Sequence, residues 1–192
     1  MPKGDEDQQV IALPLERLAR LMRASEHEHG LNPAQWEALR YLARANRFSN
    51  SPAVLARYLG ATKGTISQTV MILERKGLVV KSTRAGEKRS VELALSPKGA
   101  EALARDPWAR LSVTAHELSS KTRRRLAKGL RELLAEELKR GQHQSFGVCS
   151  SCRYFREKGR EDNPRGPNLC MLFDQPLSVT ESHCICVEHQ AT

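Results

Sequence analysis

Apolar positions recur along this chain in two rhythms, and the switch between them outlines a fold. From Val10 to Gly30, Leu13, Leu18, Leu21 and Met22 fall near helical spacing, and Gly30 offers a stop. Asn32-Pro33-Ala34-Gln35 reads as a helix start: a side-chain cap, a proline in the first turn, and a glutamine three residues on. Trp36, Leu39 and Leu42 form the apolar stripe of that helix. Ser51-Pro52 repeats the device ahead of a short helix through Leu55 to Leu59. Gly60-Ala61-Thr62 then turns tightly, and Thr62 caps a new helix to about Lys76 that buries Ile66, Val70 and Leu73 and ends at Gly77.

The period changes to two over Leu78 to Thr83 and Ser90 to Leu95, with Arg84 to Lys88 between them. This predicts a β-hairpin with a charged tip. Ser96-Pro97 opens another helix and Asp106-Pro107 breaks it. Leu126, Leu130, Leu133, Leu134 and Leu138 then share one face of a long amphipathic helix from Leu118 to Lys139. The expected class is mainly α with a small β-hairpin wing. The expected organisation is an N-terminal dimerisation helix (1–30), a winged helix-turn-helix domain (31–105), C-terminal dimerisation helices (106–142) and a cysteine-rich tail (143–192).

A short helix, a tight turn, a second helix and a hairpin make a DNA-reading unit, because the major groove admits a helix. The exposed start of the second helix carries Thr62, Lys63, Thr65, Ser67, Gln68 and Thr69, small polar residues suited to base edges and phosphates. Gly64 permits close approach. In the hairpin tip, Arg84, Lys88 and Arg89 are candidates for phosphate or minor-groove contact. The run Lys121, Arg123, Arg124 and Arg125 suits a solvated face or DNA backbone.

Leu31-Asn-Pro-Ala-Gln-Trp36, Leu55-Ala-Arg-Tyr-Leu59, Thr65-Ile-Ser-Gln-Thr-Val70, Leu73-Glu-Arg-Lys-Gly-Leu-Val79 and Leu95-Ser-Pro-Lys-Gly99 together resemble the MarR family of bacterial regulators, over roughly Leu15 to Leu138. The resemblance implies a homodimer closed by the first and last long helices. Such a dimer reads a palindromic operator in double-stranded DNA, with recognition helices roughly 34 Å apart, and acts chiefly as a repressor, not an enzyme. It also implies a small phenolic or aromatic effector bound between the dimer and DNA-binding regions, although the few aromatics here reveal no pocket for one. The family's wing carries Asp-x-Arg. Glu87-Lys88-Arg89 stands at that place, a longer carboxylate beside the arginine.

Composition sharpens this picture. The formal net charge is +9, yet the segment from His143 holds five Lys/Arg against six Asp/Glu, so the preceding part carries +10. A basic first part favours a polyanion partner, nucleic acid before membrane. The polar, acidic start and the lack of a long apolar run predict a cytoplasmic, nucleoid-associated protein with no membrane partner.

All five cysteines lie between Cys149 and Cys186. Clustered thiols in a reducing compartment argue for metal ligands or redox chemistry. Cys149-Ser-Ser-Cys152 is a two-thiolate knuckle, and Cys170, Cys184 and Cys186 supply the rest. Cys149 to Phe155, Cys170-Met-Leu-Phe173 and the spacing to Cys184 are similar to the cluster-binding run of high-potential iron–sulfur proteins. That likeness implies a 4Fe–4S cubane held by four cysteines and shielded by aromatic residues, and it leaves Cys186 unexplained. Zinc on Cys149, Cys152, Cys170 and Cys186, or on His189, is the alternative cofactor. Cys184 and Cys186 both stand open as the fourth ligand. A redox protein whose tail does the chemistry is the alternative function.

Overall fold

The computed structural model describes residues 8–26, 30–83, 91–141 and 144–191. A single wide turn, Gln8–Ala12, precedes α1 (Leu13–Glu26), where one continuous helix was expected. Pro14 explains the break. Its ring clashes with the carbonyl of the preceding turn and it has no N–H to return, so the ladder widens ahead of it. α2 (Pro33–Leu42) starts on a full capping box: the Gln35 amide donates to Asn32 Oδ1 at 2.9 Å, and the Asn32 amide donates to Gln35 Oε1 at 3.3 Å. α3 (Pro52–Leu59) and α4 (Lys63–Arg75) begin on Ser51 and Thr62. Their hydroxyls accept from the Val54 and Thr65 amides at 3.3 and 3.1 Å. A cap of this kind contributes about 1 kcal/mol. Gly60, at φ 62°, takes the left-handed conformation that stops α3 and aims the chain into α4.

The core forms where these helices cross. Trp36, Leu39 and Tyr41 of α2, Leu55 of α3, and Ile66, Val70 and Leu73 of α4 are almost wholly buried. Each such apolar side chain contributes about 1.5–3 kcal/mol by leaving water. β1 (Val79–Thr83) and β2 (Val91–Leu95) pair antiparallel from Val79↔Leu95 to Thr83↔Val91. Leu93 turns inward, and its amide donates to the Asn50 carbonyl at 2.7 Å, tying the hairpin to the segment before α3. α5 (Pro97–Leu103) is capped by Ser96 and packs so tightly on the start of β1 that a Cβ on Gly99 would lie 2.1 Å from the Leu78 carbonyl oxygen.

The region after Asp106 holds two helices, α6 (Ala109–Glu117) and α7 (Ser120–Arg140). The sequence pattern foretold the long one but not α6, whose apolar residues form no dense stripe. Arg40 fastens this region to the winged domain. Its guanidinium donates two parallel bonds to Asp106, at 2.8 and 2.7 Å, and reaches Glu26 Oε1 at 2.7 Å. The indole N–H groups of Trp108 and Trp36 donate to the Glu26 side chain and carbonyl. Glu26 is thus a buried acid held by a cation and two indoles.

The tail folds into small antiparallel pieces. β3 (Gly147–Val148) pairs with β7 (Ile185–Cys186). β4 (Phe155–Arg156), β5 (Asn168–Cys170) and β6 (Gln175–Leu177) form a three-stranded sheet, followed by the short helix α8 (Val179–Ser182). The start of the tail is part of this structure: Gln144 Nε2 donates to the Val187 carbonyl at 2.6 Å, and Phe146 packs on the main core. Phe146 is apolar and half-buried, and meets Tyr58 edge-on with ring centroids 5.0 Å apart.

The tail rests on the α2–α3 connection. Ile185 bridges Ala45 in parallel fashion. Its carbonyl accepts from the Asn46 amide at 2.9 Å, and its own amide donates to the Arg44 carbonyl. Val187 is 2% exposed and belongs to the winged domain's core. Arg47 pairs with Glu181 at 2.6 Å, and Phe48 stacks on Phe173 with centroids 4.3 Å apart. Among the described residues, no helix is long and apolar enough to cross a membrane.

Candidate nucleic-acid interface and the thiol pocket

α4 is two-faced. Ile66, Val70 and Leu73 point into the core, while Thr62, Lys63, Gly64, Thr65, Ser67 and Gln68 are exposed. Nothing on the described molecule covers that outer side. Thr69 departs from the sequence reading. It is 7% exposed, and its hydroxyl donates to the Thr65 carbonyl at 3.0 Å, so it does not reach a groove. The reason is periodicity: position 69 lies three residues after Ile66 and four before Leu73, on the inward stripe. Thr65 instead spends its hydroxyl on Thr62, at 2.9 Å, and the two fix the helix start.

The hairpin follows α4 directly, and two contacts lock its base. Lys98 Nζ donates to the Lys76 carbonyl at 2.9 Å, and the Ser96 hydroxyl donates to the Gly77 carbonyl at 2.6 Å. Lys81, on β1, pairs with Glu74 of α4 at 2.6 Å. Arg84, Lys88 and Arg89, the expected wing-tip contacts, lie outside the described residues. Lys121, Arg124 and Arg125 are exposed on α7.

A helix with a free polar face, presented after a tight turn and followed by an antiparallel hairpin, is the arrangement that fits a helix into a DNA groove. Residues 29–90 match the MarR family. MarR regulators are DNA-binding proteins, not enzymes. The matched segment runs from just before α2 through β1. Solved structures share the architecture. S. aureus MepR, solved as a complex with DNA, is 19% identical, with 66% of this chain and 98% of MepR aligned at a TM-score of 0.54. A MarR family transcription regulator is 20% identical over 71% of this chain and 93% of its own, at a TM-score of 0.53. No curated protein matches the chain. The tail from Gly147 onward lies beyond the MarR match.

That tail gathers four thiols. Cys149, Cys152, Cys170 and Cys186 line one small enclosed cavity. Strand pairing brings them there. β3 against β7 sets the start of the Cys149 knuckle beside Cys186, and β4 against β5 sets Cys170 opposite Phe155, just after Cys152. The knuckle is closed by the Cys152 amide, which donates to the Cys149 carbonyl at 2.9 Å. Phe48, Tyr154, Phe155 and Phe173 wall the cavity, with Leu172 and Leu177. All five cysteines are free thiols.

Cys184 does not line this cavity. Its thiol donates to the Thr180 carbonyl at 3.4 Å, at the end of α8. Cys186, which the cluster-like spacing left over, stands on the wall. His189 is engaged elsewhere: its Nε2 lies 3.0 Å from the Ser151 hydroxyl and 3.1 Å from the Ser151 carbonyl. Among the described residues, no group of three or more His, Cys, Asp or Glu side chains is placed to hold a metal ion.

Burial pushes the Cys149 thiol up to about 12, with Cys186 and Cys170 adding to the shift. Burial also raises Cys186, opposed by the Asn46 side chain and the Glu188 backbone. Asn46 and Phe48 are the cavity residues that sequence reasoning missed. Both sit in the α2–α3 connection, about a hundred positions from the nearest cysteine, and no local spacing links them to it.

Proposed function

We propose that this chain is a MarR-type DNA-binding transcription regulator that acts as a repressor by occupying a palindromic operator as a homodimer. The observation that carries the reading is α4, with Lys63, Thr65, Ser67 and Gln68 outward over an apolar inner face and the β1–β2 hairpin directly after it. MepR, which shares this architecture, has been solved on DNA. The charge of +10 outside the tail supplies the electrostatic attraction to phosphate.

Dimerisation has support in the apolar faces left uncovered by the chain. Val10, Ile11 and Leu15 before and within α1, with Leu126, Leu130 and Leu133 on α7, line one apolar groove, and every residue of α7 is at least partly exposed. An uncovered stripe of this size is a liability that two-fold pairing removes.

The tail is read as the responsive part. It grips the α2–α3 connection, so a change at its thiols reaches the segment that leads into α3.

Selection of bound duplexes from a random-sequence DNA pool tests the reading. The expected result is enrichment of a palindrome, with log affinity falling linearly in log salt as released counterions require. Recovery of no consensus, together with affinity indifferent to salt, overturns it.

A further inference from the structure

We propose that Cys149, Cys152, Cys170 and Cys186 ligate a 4Fe–4S cluster in the tail cavity, and that Asn46 Nδ2 donates a hydrogen bond to the Cys186 sulfur. The ligand set differs from the one the sequence spacing suggested, in which Cys184 was the fourth cysteine.

Three observations carry this. Four cysteines line one cavity, and a cubane takes one cysteine thiolate at each of its four irons. Apart from Asn46, Glu188 and the cysteines, the walls are aromatic and aliphatic, as a solvent-sensitive cluster requires. Finally, Asn46 is 1% exposed, and its Oδ1 accepts from the Phe48 amide and the Ser49 hydroxyl, which orients the group. Its Nδ2 is buried with no hydrogen-bond partner, and Asn46 and Cys186 line the same cavity. A buried amide donor without a partner is costly; a cluster-bound thiolate supplies the acceptor it lacks.

Assembly from equal ferrous and ferric iron with sulfide involves no net electron transfer. Each ligand cysteine bonds one iron through sulfur, and its thiol proton passes to solvent. The cluster would sit against the α2–α3 connection, so its role as a signal rests on the regulator reading above, but its existence does not.

The test uses the full chain, reconstituted anaerobically with that iron mixture and sulfide, then desalted. The expected protein is brown, with equal iron and acid-labile sulfide. Cys184→Ser keeps the full content, while Cys186→Ser loses it in whole or part. Asn46→Asp preserves the acceptor, replaces the donor with negative charge, and moves the reduction potential to more negative values. A colourless protein overturns the proposal, as does stoichiometric zinc uptake with no sulfide, or a cluster that survives Cys186→Ser and is lost in Cys184→Ser. An unchanged potential in Asn46→Asp overturns the Asn46 assignment. Loaded protein that fails to select DNA sinks the regulator reading alone, because iron and sulfide are assayed without DNA.

Discussion

The backbone N–H of Val187 donates to the Ser49 hydroxyl at 2.9 Å, joining positions 138 residues apart. The same hydroxyl donates to Asn46 Oδ1 at 2.8 Å, so one serine holds both the tail and the cavity's amide. Ser49→Ala leaves the Val187 amide buried without its acceptor. The expected loss is about 1–3 kcal/mol in chemical denaturation. An unchanged midpoint would show that the docking bond is replaced by water.

Arg40 is the second fastening. Replacing it with methionine strands Glu26, which is 1% exposed, next to Asp106. Breaking a buried ion network from one side costs about 3–5 kcal/mol. The double change Arg40→Met with Glu26→Gln recovers part of that, since the uncompensated charge is gone. Denaturation midpoints of the single and double variants measure the coupling.

Tyr41 gives a pH dependence with a definite sign. Burial raises its phenol above the ordinary tyrosine value, Tyr58 adds to the shift, and its hydroxyl donates to the Ser49 carbonyl at 2.6 Å. The folded form holds the proton more tightly than the unfolded one. Its contribution is therefore complete below about pH 10 and fades as pH climbs beyond that. Tyr41→Phe should cost about 1 kcal/mol at neutral pH and flatten the alkaline decline relative to the parent. Parallel stability curves for the two proteins above pH 10 would remove the phenol from the account.

On the DNA side, Lys63→Ala should weaken binding by a similar factor for all sequences and lower the salt slope by about one. Gln68→Ala should instead relax preference at particular base pairs. Thr69→Val should leave DNA affinity as it was, because that hydroxyl faces the Thr65 carbonyl. Binding curves at several salt concentrations separate the three.

Leu130→Glu places a charge in the apolar groove between α1 and α7. Light scattering should show the parent as a dimer and the variant as monomer. A parent that scatters as a monomer at micromolar concentration would rule out the two-fold arrangement.

The caps at Asn32, Ser51, Thr62 and Ser96 were readable in the sequence because each is a local signal: a short polar side chain reaching an amide three residues away. The inward stripe of α4 was equally local, and Thr69, read outward for its polarity, lies on it. Docking of the tail was not readable. Ile185, Val187, Asn46 and Phe48 meet through tertiary packing, and their spacing in the chain carries no period that could announce it. Cys184 and Cys186 illustrate the same limit. They are chemically alike and two positions apart, and only the β3–β7 pairing decides which thiol reaches the cavity.

Because Val187 fills the same core as Leu55 and Leu73, that core lacks one of its pieces until long after α4 has been made. At about 5–20 residues per second, translation leaves several seconds between Leu73 and Val187. A nascent chain therefore leaves the ribosome with its groove-reading helix formed over an incomplete interior. If the chain binds DNA as proposed, that competence should arrive late in synthesis, which gives chaperones an interval in which to act first.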